Sequence, residues 1–281
     1  MSIKEGLFHR FNAVRVITKR ELKSTFFYGV GIYLAIFISL LISSLLLKNY
    51  LEAIKDQGML MMSDPLNYPL FITTLISSFY LAIISSISIS REKDHQTMEV
   101  LFYGPIDYAS FVIAKYVNDI LAYLIMVVFF LIYFFFVSFL TNFAFSFNFA
   151  RLIILSIFLA SCMISFGLFL SSLTTRVRSS IISFISIAVG FFAVQILYRI
   201  LGGTKPELLS TPLLYLRNIM EVLYVWCIQW ISPFSYFDRG LKAVSLGIHG
   251  DYAISIASSL SYSIIMVLFS ILILRKKGIE K

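Results

Sequence analysis

Long apolar segments alternate with short polar connections along most of this chain. A membrane-spanning helix needs about 20 consecutive apolar residues, and six apolar runs reach that length. They cover residues 26–47, 68–90, 108–140, 152–173, 180–201 and 252–274. The pattern predicts an all-α polytopic membrane protein, with residues 1–281 forming a single transmembrane domain.

Residues 207–250 have a different pattern, in which apolar and aromatic stretches are interrupted by charges and prolines. The longest apolar piece, Val222 to Ile231, is too short to span a bilayer. Its tryptophans are typical of the headgroup region. A seventh span here would also place the Arg275-Lys276-Lys277 tail outside the cell. We therefore predict an extracellular region with re-entrant helices before the sixth span.

The amino-terminal segment, residues 1–24, is amphipathic. Its apolar residues recur at helical spacing as Leu7, Phe11, Val14 and Ile17. The opposite face is basic and comprises Arg10, Arg15, Lys19, Arg20 and Lys23. Such a segment is typical of an interfacial helix on the membrane surface. A frayed basic tail is the alternative.

Composition supports a membrane protein and argues against nucleic-acid binding. Apolar residues make up 59% of the chain and charged residues 14%, with a formal net charge of +8. The Lys and Arg residues lie mostly beyond the ends of the apolar runs, and more of them fall on the side that holds both termini. By the positive-inside rule this side is the cytoplasm. We expect a multi-pass protein of the plasma or inner membrane.

Catalytic and metal-binding motifs are not found in the sequence. The two cysteines, Cys162 and Cys227, lie in apolar surroundings, and the three histidines are far apart. The glycine-rich stretch 202–206 has the wrong residue order for a phosphate-binding loop. We expect no metal site and no cofactor on this chain.

Three polar residues stand out within or near the apolar runs. Lys115 and Asp119 are four residues apart on one helical face, so they can pair, or Lys115 can extend to the interface. An intramembrane carboxylate indicates a functional role, which makes Asp119 a candidate pathway residue. Glu221 is a further candidate. An intramembrane enzyme would require Asp119, Glu221 and Gln195 to assemble, which their spacing does not support.

A short polar segment, residues 90–107, separates the second and third spans. Asp94 can cap a helix that begins at His95, and Gly104-Pro105 can end it. Asp107 is placed to cap the next helix. The segment therefore predicts a short helix between two spans.

This short helix carries an apolar stripe at positions i, i+3 and i+4, formed by Met98, Leu101 and Phe102. About two helical turns are too few to be stable alone in water, so the stripe must be buried. The pattern leaves two alternatives for the surface that buries the stripe. It is either a groove on a partner protein, or the chain's own helices and the bilayer surface.

The same segment carries an ordered set of motifs. They are Arg91-Glu92-Lys93, Thr97-Met98-Glu99-Val100-Leu101, Gly104-Pro105-Ile106-Asp107 and Lys115. This order resembles the type-2 permease family of ATP-binding-cassette (ABC) exporters, in which an acidic residue, a Gly-Thr-x-Glu helix, a Pro-[Ile/Val] turn and a later Lys follow one another. Arg20-Glu21-Leu22 resembles the family's amino-terminal segment, and residues 232–240 with the last span resemble its carboxyl-terminal portion. The resemblance covers essentially the whole chain.

The resemblance implies a half-transporter that pairs with a second permease subunit, as a homodimer or a heterodimer. It also implies two copies of a separate ATPase subunit, which would bind ATP and Mg²⁺. Residues 91–107 would form the cytoplasmic coupling helix that links ATP hydrolysis to export. An ATP-independent channel or a structural membrane subunit is the alternative.

The resemblance also implies roles for individual residues. The ATPase-coupling residues would be Glu92, Thr97, Met98, Glu99, Leu101, Phe102, Gly104 and Pro105. The apolar stripe would enter a groove on the ATPase, and Glu92 and Glu99 would make polar contacts at its rim or with the amino-terminal helix. Gly104-Pro105 would set the angle of the third span. Gln96 replaces a glycine found in many members, and we expect it to favour helix there.

Overall fold

The protein is built from helices joined by short connections. The computed structural model describes residues 3–27, 29–57, 64–103, 106–204, 211–245, 247 and 249–277, and no strand occurs among them. The elements in chain order are α1 (Ile3–Phe27), α2 (Val30–Gln57), α3 (Asn67–Asp94), α4 (Thr97–Tyr103), α5 (Tyr108–Thr141), α6 (Phe147–Leu173), α7 (Val177–Gly203), α8 (Thr211–Val222), a π-helical segment (Leu223–Ile228), α9 (Gln229–Ile231), α10 (Pro233–Ser245) and α11 (His249–Lys277).

Within the described ranges, six helices are long and apolar enough to cross a membrane, namely α2, α3, α5, α6, α7 and α11. They confirm the prediction of an all-α polytopic membrane protein with six spans. Polar residues extend some helices beyond the apolar runs. In α2, for example, Lys48 and Glu52 form an i,i+4 ion pair at 3.5 Å, and the helix continues to Gln57.

Side-chain caps set the starts of two of the spans. Asp107 accepts a hydrogen bond from the backbone N–H of Ser110 at 3.2 Å, which confirms its predicted role as the cap of α5. Ser146 accepts from the N–H of Phe149 at 3.2 Å. Because Ser146 caps α6 at Phe147, this helix begins before the predicted boundary at residue 152.

The centre of the bundle is the contact between α3 and α6, where small residues let the two backbones approach closely. A Cβ atom at Gly167 of α6 would overlap the carbonyl oxygen of Ala82 in α3. The hydroxyl of Ser86 donates to the carbonyl oxygen of Ile83 in its own helix at 2.7 Å. Its polar group is therefore satisfied without widening the helix contact.

Helix α1 packs along α5. Ile17 and Thr18 are buried, and the Thr18 hydroxyl donates to the carbonyl oxygen of Ala114 at 3.3 Å. Lys19 and Arg20 lie on the exposed side. The amphipathic pattern thus gives α1 one face against the bundle and one basic face away from it.

The segment between α7 and α11 also forms helices. Residues 211–231 are continuously helical, with a π-helical segment in the middle, so the apolar piece Val222 to Ile231 is the end of a longer element. Helix α8 buries no residue, whereas α10 buries Phe234 and Phe237 against the bundle. Re-entry of this region into the membrane stays a prediction.

Candidate functional site

Charged residues cluster where α3 turns into α4. We call the cluster the charged corner and define it as Glu21, Glu92, Lys93, Asp94 and Lys115. Three of these residues are consecutive at the end of α3, and each contacts a different element. The end of α3 is therefore held from three sides.

Lys93 and Asp94 bind the ends of two neighbouring helices. The ammonium group of Lys93 donates to the carbonyl oxygens of Ser172 at 2.6 Å and Thr174 at 3.1 Å, at the carboxyl end of α6. The backbone N–H of Val177, the first residue of α7, donates to the Asp94 carboxylate at 3.4 Å. A cation at a helix carboxyl end and an anion at an amino end both complement the helix dipole.

Lys115 links three helices by ion pairs. Its ammonium group pairs with Glu21 of α1, and it lies 3.4 Å from a carboxylate oxygen of Glu92 in α3. The three side chains are 7%, 16% and 19% exposed. Of the two alternatives for Lys115, pairing with Asp119 is not observed, because no ion pair joins these two described residues. Lys115 is instead neutralised by two other carboxylates.

The buried carboxylate of Asp119 accepts hydrogen bonds from neutral groups. The Ser85 hydroxyl donates to one carboxylate oxygen, and the side-chain amide of Asn118 donates to the other at 3.1 Å. Both Asn118 and Asp119 line a cavity of about 390 Å³. The other lining residues are Arg20, Glu21, Ser24, Ile84, Ile87, Ser88, Arg91, Glu92 and Lys115. The charged corner therefore borders a polar cavity that reaches into the helix bundle.

The turn from α3 to α4 differs from the sequence prediction. Asp94 does not cap a helix beginning at His95, since it is the last residue of α3, where its contact with α7 supports continued helix. His95 and Gln96 form the turn, and α4 begins at Thr97. Gln96 has φ of 56°, so the expectation that it favours helix there is also wrong. This left-handed conformation suits the glycine of the resembled motif.

Thr97 closes the turn by contact with Glu92. Its hydroxyl donates to the Glu92 carboxylate at 2.5 Å and lies 3.2 Å from the Glu92 carbonyl oxygen. Glu92 thereby connects the first residue of α4 to Lys115 of α5. The threonine and the acidic residue of the motif are thus parts of one hydrogen-bonded unit.

The apolar stripe of α4 is directed at least partly toward the chain's own bundle. Phe102 has its ring centroid 4.3 Å from that of Tyr108 and 5.9 Å from that of Phe111. Met98 is also partly buried against the core. Tyr103 is 90% exposed. The two described stripe residues follow the second alternative, packing on the bundle, and Tyr103 offers the exposed aromatic surface.

Several predicted site residues are not described by the structure or are not part of the charged corner. The side chains of Glu99 and Leu101, and the residues Gly104 and Pro105, are outside the described part of the structure. Glu221 lies exposed on α8, away from the charged corner. Gln195 lines a different cavity from Asp119, so these three polar residues do not assemble into an active site.

No individual role is predicted from the sequence for Glu21 or Lys93, although both belong to the quoted motifs. Their partners lie on helices distant in sequence, which no local spacing reveals. Among the described residues, no group of His, Cys, Asp and Glu forms a metal site. The charged corner consists of ion pairs and helix-end contacts, and these contacts hold neighbouring helices together.

Comparison with known proteins bears on the identity of this helical assembly. The family model described as ABC-2 family transporter protein matches residues 3–279. A comparison with curated proteins found no significant match. The match includes all six spans, the charged corner and α4. The chain therefore belongs to the ABC-2 family of transporter proteins and is a membrane permease subunit of an ABC transporter.

Proposed function

We propose that this chain is the permease subunit of an ATP-driven exporter and that α4 is its coupling helix. Two copies of a separate ATPase subunit would bind ATP and Mg²⁺, and two permease subunits would enclose the pathway between them. The observation that carries the proposal is the ion pairing of Lys115 with Glu21 and Glu92, directly beside α4. It joins α1, α3 and α5, and the proposed docking helix is linked to it by the hydrogen bond from Thr97 to Glu92.

The exposed side of α4 is the proposed docking surface. Tyr103 is the described aromatic residue most exposed in this helix, and Gln96 and Thr97 are exposed at its start. Exposed aromatic residues are frequent anchors of protein interfaces. By the resemblance, Glu99 and Leu101 would also belong to the docking surface, and Gly104-Pro105 would set the angle between α4 and α5.

Movement of α4 would be transmitted through two kinds of contact. The rings of Phe102, Tyr108 and Phe111 join α4 to α5 by packing, and the Thr97–Glu92–Lys115 contacts join it to α3 and α5 by polar bonds. Interiors packed in this way move as rigid bodies. Closure of the ATPase subunits would therefore shift α3 and α5 together, provided that the docking contacts differ in free energy between the two states.

The proposed orientation places both termini and α4 in the cytoplasm, because Lys and Arg residues are more frequent on that side. Helix α1 would lie along the inner membrane surface, with its basic face toward the headgroups. Residues 211–245 would lie at the outer side. The chain would reside in the plasma or inner membrane.

Co-purification tests the docking step. A tagged chain, extracted from its native membranes in mild detergent, is expected to elute with ATP-hydrolysing activity. Tyr103→Glu should abolish this co-elution, because a charge in the centre of an interface is desolvated without a partner. Tyr215→Glu is the matched control, since Tyr215 is 69% exposed on α8, and it should retain the activity.

The opposite results would reject the proposal. Equal ATP hydrolysis in the Tyr103→Glu and wild-type eluates would remove α4 from the interface. Ion conduction by the purified chain alone, with no co-eluting ATPase, would support the channel alternative.

Cargo and coupling require a separate experiment. ATP hydrolysis by the reconstituted complex should rise when the correct cargo is added, in a screen over lipids, drugs, peptides, glycans and ions. Asp119→Asn would then test whether the polar cavity belongs to the pathway, and Glu221→Gln would test the proposed outer side. Loss of cargo stimulation with intact basal hydrolysis is the expected signature of a pathway residue.

A further inference from the structure

A second cavity lies at the opposite end of α3 from the charged corner. It has a volume of about 290 Å³ and is a half-open cavity between the start of α3, the end of α7 and α10. Most of its lining is apolar and aromatic. The apolar lining residues are Phe71, Leu75, Phe192, Ile196, Phe234, Phe237 and Leu241, with Tyr68 also present. The cavity suits a hydrocarbon chain more than a sugar or a hydrated ion.

One polar side chain that lines this cavity has no hydrogen-bond partner among the described residues. Gln195 is 8% exposed and lines the cavity; its amide makes no hydrogen bond within the described part of the chain, and its polar atoms keep access to the cavity space. Burying an amide without a hydrogen bond is unfavourable, and buried polar groups in proteins are nearly always paired. The Gln195 amide can both donate and accept, so it points to a bound polar group.

An ion-paired cluster with one surplus positive charge lies at the edge of the cavity. Arg199 and Asp238 line it, with the guanidinium 2.7 Å from one carboxylate oxygen. Lys242 lies 3.0 Å from the other oxygen of the same carboxylate. Two cations thus share one anion. Among the described residues, Arg199 and Asp238 are the charged side chains that line the cavity, and Lys242 lies just outside the lining. The surplus charge favours an anionic group near Arg199.

We propose that this cavity binds a single-chain amphiphile with a carboxylate or phosphate head. The chain lies against the phenylalanines, the head accepts from the Gln195 amide, and Arg199 provides the opposite charge. A volume of about 290 Å³ is near the lower end of the ~300–1,000 Å³ typical of ligand sites. One hydrocarbon chain fits this space better than the two of a phospholipid.

The proposal concerns binding by this chain alone and does not require the ligand to be the transported cargo. Its test is therefore done without ATP or an ATPase. The purified chain in phosphatidylcholine vesicles is exposed to dodecanoate that carries a photoreactive diazirine near its methyl end. Labelled peptides are then identified by mass spectrometry.

Saturable labelling is expected on peptides that contain Leu75, Phe192 or Phe237. Dodecanoate and dodecyl phosphate should compete, and the stronger competitor identifies the preferred head. Dodecyltrimethylammonium should not compete, since its charge is repelled. Inorganic phosphate should not compete either, because it lacks the apolar chain. Labelling that does not saturate and spreads evenly over all lipid-facing helices would overturn the proposal.

Two variants test the polar contacts separately. Gln195→Leu preserves side-chain size and should raise the half-competing concentration of dodecanoate about tenfold, as expected for a lost charge-assisted hydrogen bond. Arg199→Gln should abolish the preference for dodecanoate over dodecanol. Ser186→Leu, at an exposed position of the same helix, is the control and should behave as wild type. Unchanged competition in both cavity variants would refute the site.

Discussion

Lys115 of α5 lies 3.4 Å from the carboxylate of Glu92 at the end of α3, and its ammonium group also pairs with Glu21 of α1. These helices are distant in sequence, yet one cation neutralises both carboxylates. All three side chains are mostly buried. Removal of the cation therefore leaves two negative charges with little access to water.

Lys115→Met should destabilise the protein by about 3–5 kcal/mol, the usual result of removing one partner of a buried ion pair. The measurement is the loss of helical circular dichroism on heating in detergent. Lys48→Met is the control, because both groups of the Lys48–Glu52 pair are more than half exposed. That change should cost at most about 1 kcal/mol.

The double variant Lys115→Met with Glu92→Gln provides a sharper test of the pairing. Its destabilisation should be smaller than the sum of the two single effects, because the second change removes one of the uncompensated charges. Strict additivity would show that the two residues act independently and would contradict the observed pairing.

Gln96→Gly should stabilise the protein by up to about 1 kcal/mol, because glycine adopts the left-handed conformation without the steric cost of a Cβ. Gln96 has φ of 56°. Gln96→Val should destabilise it, since a β-branched residue is strained at positive φ. Thermal melting of the three proteins in one detergent checks this order. A more stable valine variant would mean that the turn has another conformation.

Gly167→Ala should cost about 1–3 kcal/mol, the usual effect of overpacking a core, since the new Cβ meets the carbonyl oxygen of Ala82. Gly190→Ala is the matched control within a span, because a Cβ there has no neighbour within 4 Å. It should be neutral or slightly stabilising. Equal melting temperatures for the two alanine variants would contradict the close contact of α3 with α6.

The six spans can be predicted directly from the sequence. A helix that crosses a bilayer needs about 20 consecutive apolar residues, and such runs are found by counting along the chain. Helix ends follow less well. Asp107 is correctly identified as a cap, because its carboxylate accepts a hydrogen bond from the backbone N–H of Ser110, only three positions later. Asp94 is misassigned, because its actual partner, Val177, is far along the chain. Local rules cannot distinguish these two aspartates.

The same holds for the charged corner: the sequence identifies its residues, but not which of them contact one another in the fold. Glu92, Thr97 and Lys115 are found through their motif, but the motif does not say that they bind one another. Asp119 is four residues from Lys115, and spacing favours a pair, yet Ser85 from α3 occupies the Asp119 carboxylate instead. The stripe residue Phe102 is recognised as apolar, whereas its packing on Tyr108 depends on the fold.

Docking of an ATPase on α4 is the central claim, and site-specific photo-crosslinking tests it most directly. The photoreactive residue p-benzoylphenylalanine replaces Tyr103 in one variant and Tyr215 in the other, both exposed tyrosines. Irradiation of native membranes should join position 103, and not position 215, to an ATP-binding protein identified by mass spectrometry. An adduct at position 215 alone, or none at position 103 while the ATPase still co-purifies, would contradict the account.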